Sequence, residues 1–337
     1  MTETELEELL SRPTPGLVET MQRLDGDLMI LGVAGKMGLT LARMAVRASE
    51  LAGKPRRVTG VARFSNPASQ AWLHEQGVET IACDLLDRAA VADLPEAPNL
   101  IFMAGQKFGT SGSPETAWAM NTVMPTLVAE RFPSARTVVF STGCVYPLVP
   151  VMSGGCREDA PLGAIGDYAN SCIGRERVYS YFSVRNETPI AIFRLSYAIE
   201  LRYGVILDVA LKVHRREAID LSMGHARVIW QGDANAQAIQ LLEYAASPPF
   251  VLNVTGPEVV SIRGLAQQLG ELLGEDPIFT GVESETSGLM DAGRSHGLFG
   301  YPTVALDMVT HWVADWVQRG GRTLNKPTHF ETRDGNY

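Results

Sequence analysis

Between Asp27 and Arg194 the chain repeats one pattern: a short apolar run, a turn, then a stretch with apolar residues at helical spacing. The runs are Leu28–Leu31, Val58–Ala62, Thr80–Cys83, Leu100–Met103, Thr137–Phe140 and Ile190–Phe193. Each is too short for a stable helix, and most lack the polar alternation of a strand wetted on one face. Helical stretches follow over Leu39–Leu51, Ala68–Gln76 and Glu115–Arg131, and again from Tyr168. Parallel neighbours need a crossover of roughly a dozen residues or more, usually a helix. The spacing therefore predicts βαβ units, and with them an α/β fold built on a doubly wound parallel sheet.

After Arg194 the alternation loosens. Val228–Trp230 and Phe250–Val254 read as strands, and Ala234–Ala246, Ile262–Leu273 and Val304–Arg319 as helices. This predicts a smaller C-terminal substrate-binding lobe from residues 196–225 and 249–324, with 226–248 returning to the 27–195 domain. Residues 1–26 form an acidic extension in which Thr2 or Thr4 caps a short helix with Leu6, Leu9 and Leu10 on one face, before Pro13 and Pro15 interrupt it. Residues 325–337 read as a polar surface loop.

Gly32-Val33-Ala34-Gly35-Lys36-Met37-Gly38 follows the first strand and opens a helix. Glycines at this spacing allow a tight turn and let the backbone approach a pyrophosphate, which the free N–H groups of the helix N-terminus would hold. In this strand–turn–helix context the segment predicts a Rossmann-type dinucleotide site. An NAD-binding domain usually offers an acidic side chain to the ribose after the second strand; here the stretch is Val61-Ala62-Arg63-Phe64, with none. Arg63 suits a 2′-phosphate and Lys36 adds charge, so NADP(H) is expected over NAD(H). After the third strand, Asp84 is expected at the adenine amino group, with Leu85 packed on the ring.

A net charge of -9 argues against nucleic acid, whose phosphates select clustered basic residues. The acidic N-terminus has no apolar signal region, and no apolar run approaches the ~18 residues of a membrane span. The expectation is a cytoplasmic, soluble protein. Its 4 cysteines have no metal-ligand spacing and its 6 histidines do not cluster, so no metal is expected.

Several further segments stand in a telling order. They are Phe102-Met103-Ala104-Gly105-Gln106-Lys107, Met120-Asn121-Thr122, Ser141-Thr142-Gly143-Cys144-Val145-Tyr146, Gly166-Asp167-Tyr168-Ala169-Asn170-Ser171-Cys172 and Phe193-Arg194-Leu195-Ser196-Tyr197. With them, residues 27–320 resemble the extended short-chain dehydrogenases/reductases, the NAD-dependent epimerase/dehydratase family. The resemblance implies that Ala104, Gly105, Lys107 and Asn121 line the cofactor. It also implies that Tyr168 is the catalytic acid/base with Thr142 as hydrogen-bond partner, acting on a hydroxyl or carbonyl of a sugar, sugar nucleotide or sugar-derived substrate. It further implies a homodimer through the Glu115–Arg131 and Tyr168–Val184 helices.

Three departures qualify the resemblance. Cys172 stands where the family has the lysine of its Tyr-x-x-x-Lys pair. A cation about 4 Å from the phenol is worth roughly 4 kcal/mol at an effective dielectric of 20, or about 3 pKa units, and a neutral thiol supplies none of this. Either Tyr168 acts with another cation (Lys107 and Arg175 are candidates) or with the oxidised cofactor, or chemistry has moved elsewhere, or the protein is a non-catalytic NAD(P)-binding regulator or sensor. Secondly, Gly143-Cys144 replaces the carboxylate pair of 4,6-dehydratases, which disfavours dehydration against epimerisation or carbonyl reduction. Thirdly, Tyr197 and the Ile199–Tyr203 segment remodel the substrate pocket, where Tyr197 and Arg202 are expected to contact substrate.

Overall fold

The computed structural model describes residues 1–107 and 112–336. Seven parallel strands form its spine: β1 (Leu28–Leu31), β2 (Val58–Ala62), β3 (Glu79–Ala82), β4 (Asn99–Phe102), β5 (Arg136–Thr142), β6 (Ile190–Leu195) and β7 (Phe250–Val254). Their order is β7-β6-β5-β4-β1-β2-β3, with Leu28 in register with both Val58 and Asn99. Strands β1, β2 and β4 are buried along their whole length, which explains their nearly unbroken apolar sequence. The order reverses between β1 and β4, the place where ligands bind in open α/β sheets.

Helices cover both faces. On one, α2 (Pro15–Arg23), α3 (Gly38–Leu51) and α10 (Gln231–Gln240) share a core with β1, β5 and β6 through Leu17, Met21, Leu41, Met44 and Ile239. On the other, α7 (Met124–Arg131) and α8 (Gly166–Asn186) pack Leu127, Val128, Tyr179 and Phe182 against Leu31, Phe102 and Val139. Leading into α7, α6 (Pro114–Trp118) passes through a π-helical turn, Ala119–Val123, with the buried Asn121 at its centre.

The lobe has its own core, formed by α9 (Val205–His214), α11 (Ile262–Leu273) and α13 (Leu306–Gln318). Strand β7, which the sequence reading gave to this lobe, instead pairs in parallel with β6 from Phe250↔Ala191 to Val254↔Leu195 and completes the main sheet. Its apolar run is interrupted only by Asn253, whose amide is satisfied by the carbonyls of Cys156 and Asp291.

The two termini are more deeply built in than their polarity suggests. In α1 (Glu3–Leu10), Thr2 and Glu5 form a reciprocal capping box, and Leu6 and Leu10 lie wholly inside the lobe core. In α2, Leu17 and Met21 lie wholly inside the main core. Burying such side chains is worth about 1.5–3 kcal/mol each, so the extension staples the lobe to the sheet domain. The tail is not a surface loop: Phe330 is buried in the lobe core, and Asp208 of α9 accepts hydrogen bonds from both Thr328 N–H and Thr328 Oγ1. Arg333 donates to the carbonyls of Ser222 and Thr286. Tyr337 lies outside the described residues. Among the described residues no helix is long and apolar enough to cross a membrane, and no cluster of three or more His, Cys, Asp or Glu side chains is arranged to hold a metal.

Candidate active site

The carboxyl ends of β1, β4, β5 and β6 open onto one cavity of about 390 Å³, with Gly35, Gln106, Thr142 and Tyr197 on its wall. The lobe and the C-terminal tail close the opposite side, through Met223 and His225 and through Lys326, Thr332 and Arg333.

The glycine turn shows what each glycine is for. At Gly32, with φ +89°, an added Cβ would stand 2.7 Å from the Ala104 backbone, and at Gly38 it would overlap the Val33 carbonyl. Close packing of the turn against strand and helix therefore demands both, and it sets Ala104 against Gly32. Gly35 differs. A Cβ there would meet only the Gly32 carbonyl, at 3.3 Å, and the residue faces the cavity. Its missing side chain answers no demand of the protein's own packing. A pyrophosphate lying on the loop would account for it, so these residues fit a dinucleotide. Met37 lies beside it on the cavity wall.

Lys36 is engaged by the protein itself. It turns into the protein, donates to the Ala198 carbonyl at 2.6 Å and lies 4.1 Å from the Tyr203 ring centre. Burial pulls its pKa down to about 7, against the opposing pull of Glu200. Arg63 sits exposed after β2; Asp84 is exposed after β3 and caps the N–H of Leu86 at 3.0 Å, with Leu85 buried beside it. None of these three borders the cavity.

Tyr168, in the first turn of α8, lies on the cavity wall with Thr142 and is followed one helical turn on by Cys172. Thr142 is held at the end of β5, where its Oγ1 accepts from the N–H of Cys144 at 3.2 Å. Burial raises the Tyr168 phenol well above its ordinary range, and the neighbouring Cys172 and Cys144 add to this; Arg175 and Thr142 oppose it. Cys172 is itself pushed up to about 11 by burial, so it is a neutral thiol near pH 7. Two turns after Tyr168 the Arg175 guanidinium reaches the same wall, bound to the Phe140 carbonyl at 2.8 Å and to Asn121 Oδ1.

Asn121 ties the site together. Its amide group donates to the Gln106 carbonyl and to Ser171 Oγ, and its oxygen also accepts from Gln106 N–H. An added Cβ at Gly105 would overlap the Arg175 guanidinium and stand 2.8 Å from Asn121 Oδ1, so that glycine makes room for this cluster. Lys107 donates to the Thr328 carbonyl at 3.0 Å and lies 5.9 Å from the Tyr197 ring centre; burial lowers its pKa. Tyr197 borders the cavity with φ +41°, a backbone state a bulky side chain rarely adopts and one that gathers at functional sites.

Arg202 does not border the cavity. It is buried beside Glu200, at 3.2 Å, and Glu7 of α1, at 3.3 Å, and the pairing holds the extension to the lobe. Among the described residues lining the cavity every charged side chain is basic: Lys36, Lys107, Arg175, Lys326 and Arg333. In a chain of net charge -9 that concentration marks a place for anions. Lys326, Thr332 and Arg333 escaped sequence reasoning because they sit in a tail with only one apolar anchor, Phe330. Tyr168, Cys172 and Arg175 do fall at i, i+4 and i+7, one helix face, and that spacing is the signal that points to Arg175.

A family model described as the NAD dependent epimerase/dehydratase family matches residues 28–221, more than half of the chain. The chain belongs to that family. No curated protein matches this family member significantly in sequence. Among solved structures, the dTDP-glucose 4,6-dehydratase of Streptomyces venezuelae, solved with NAD, is similar at 17% identity and a TM-score of 0.73, over 87% of this chain and 97% of that one. The UDP-glucuronic acid 4-epimerase of Bacillus cereus, in complex with UDP-glucuronic acid and NAD, is similar at 16% identity and a TM-score of 0.70, over 87% and 99%. The UDP-glucose 4-epimerase of Thermotoga maritima, with UDP-glucose, is similar at 13% identity and a TM-score of 0.70, also over 87% and 99%. At these identities the likeness is one of fold.

Proposed function

We propose that this family member is an NAD(P)-dependent epimerase or oxidoreductase acting on a hydroxyl or carbonyl of a sugar nucleotide or related anionic sugar. The observation that carries the proposal is the presence of the Tyr168 and Thr142 hydroxyls on the wall of one cavity whose charged lining, among the described residues, is entirely basic. The glycine turn with Asn121, Gly105 and Lys107 would hold the cofactor, and the nicotinamide would supply hydride transfer. The chain's own part is proton handling: Thr142 orients the reacting oxygen and Tyr168 gives or takes its proton. Cys172, where the family lysine stands in the resemblance, contributes a buried neutral thiol. Tyr197 borders the substrate. The absence of any carboxylate from the described cavity lining, with Gly143 and Cys144 beside Thr142, favours epimerisation or carbonyl reduction over dehydration.

NADP(H) is preferred in this proposal, with Arg63 as the 2′-phosphate contact and Asp84 and Leu85 at the adenine. A homodimer through α6, α7 and α8 is supported by exposed apolar side chains on this surface: Val123, 53% exposed, in the π-helical turn between α6 and α7, and Tyr181, 57%, and Val184, 62%, on α8. The test of the activity is Tyr168→Phe. It is expected to abolish turnover while cofactor affinity stays within a few-fold of wild type; turnover that survives the substitution would refute the tyrosine's role.

A further inference from the structure

Arg175 carries a positive charge that none of its described hydrogen bonds neutralises. It is 6% exposed, and those bonds go to neutral oxygens, the Phe140 carbonyl and Asn121 Oδ1. The nearest acid along the helix, Glu176, is taken by Arg194 at 2.7 and 2.9 Å and by Ser141 at 2.6 Å. The Nε–H of Arg175 is buried without an acceptor among the described residues. Its seat is specific: Phe102 lies under the guanidinium, and only glycine at 105 leaves room for it. A guanidinium stays protonated where a buried lysine readily loses its proton.

We infer that Arg175 is the positioning cation of this site, supplying from two turns along α8 the fixed positive charge that acts on the Tyr168 hydroxyl. The inference rests on the proposed role of Tyr168 as acid/base. The described groups whose charge or polarity acts on Tyr168 include Cys172 and Arg175, on the same face of its own helix, and Thr142 and Cys144 from the end of β5, and Tyr168, Arg175, Thr142 and Cys144 all border the cavity. Lys107, from the segment after β4, faces both cysteines. Of these only Arg175 and Lys107 carry positive charge, and burial draws the Lys107 ammonium toward its neutral form. From the tail, the backbone of Gly335 packs on Gly166 at the start of α8 and brings no charge there.

The experiment follows ionisation of Tyr168 by tyrosinate difference absorbance, with Tyr168→Phe as the subtraction blank, alongside the pH profile of kcat. Arg175→Met is expected to move Tyr168 ionisation, and the rising limb of the rate, upward by at least about one pH unit, a tenfold loss of rate on that limb. Arg175→Gln keeps side-chain N–H donors without the charge and is expected to show the same upward displacement. Arg175→Met combined with Cys172→Lys, which moves the cation one turn along the helix, is expected to move the titration back toward wild type. An unchanged Tyr168 titration in Arg175→Met overturns the inference. So does an Arg175→Gln titration that matches wild type, since the residue would then act through its hydrogen bonds and packing and not through its charge. Should Arg175→Met fail to fold, the Arg175→Gln titration alone decides, an upward displacement supporting the inference and a wild-type result overturning it. If Tyr168→Phe keeps full turnover the acid/base proposal itself falls, which is distinguishable because the titration needs no turnover.

Discussion

Gly35→Ala separates what the fold needs from what a ligand needs. The added methyl meets one protein atom, the Gly32 carbonyl at 3.3 Å, which a shift of a few tenths of an ångström relieves. Losing a glycine also restricts the unfolded chain, a gain of about 0.4–1 kcal/mol where the backbone is compatible, and Gly35 has no positive φ. The cofactor-free variant should therefore unfold within about 1 kcal/mol of wild type. In the proposed site the same methyl would project where a pyrophosphate touches the loop, and overpacking of that kind costs about 1–3 kcal/mol. Dinucleotide affinity should fall about five- to hundred-fold. Gly38→Ala is the opposite control, since its methyl overlaps the Val33 carbonyl and should destabilise the fold with or without ligand. Thermal melts of cofactor-free protein and calorimetric titration with NAD+ and NADP+ read the two effects. A Gly35→Ala protein that binds both dinucleotides like wild type would refute the assignment of the loop.

Three further outcomes follow. Lys36 has a pKa of about 7 when folded against 10.5 as a free side chain, so across that interval the unfolded chain holds a proton the native protein does not, and stability rises with pH. The penalty is fully present at and below about pH 7, on the order of 5 kcal/mol, and fades as pH approaches the free value; Lys36→Met should lose that slope in melts between about pH 7 and pH 10, and an unaltered slope would contradict it. Arg63→Ala should weaken NADP+ about ten- to hundred-fold with NAD+ unchanged, the value of a lost charge-assisted contact; equal effects on both would remove the 2′-phosphate role. Val184→Asp, at an apolar side chain 62% exposed on α8, should shift sedimentation toward monomer, and an unchanged distribution would place any dimer contact elsewhere.

What could be read in advance follows the range of the forces involved. Strands β1, β2, β4, β5 and β6 are legible because a parallel strand buried on both faces must be largely apolar, the partly exposed edge strand β3 is legible only from its place in the alternation, and the turn at Gly32–Gly38 is legible because its steric demands are local. Strand β7 was assigned to the wrong unit because nothing within Phe250–Val254 says which sheet it joins; that depends on pairing with β6, some sixty residues earlier in the chain. Arg202 was misplaced for the same reason: its partner Glu7 lies 195 residues away, and a lone arginine beside a remodelled loop looks like an anion contact until the acid is seen. The tail misled through composition, since one buried Phe330 and two hydrogen bonds to Asp208 anchor a segment that is otherwise polar. Lys36 points inward because Ala198 and Tyr203, from the far side of the cavity, offer it a carbonyl and a ring.

The most direct test of the central claim is rapid mixing of the dinucleotide-loaded protein with a panel of UDP- and dTDP-sugars, following the absorbance of reduced nicotinamide in wild type and in Tyr168→Phe. A transient or lasting rise is expected in wild type with at least one sugar nucleotide and none in Tyr168→Phe, although both bind the cofactor. A cofactor-bound wild type with no redox change would contradict it and leave a dinucleotide-binding protein without this chemistry. An identical rise in Tyr168→Phe would move the proton transfer to another residue.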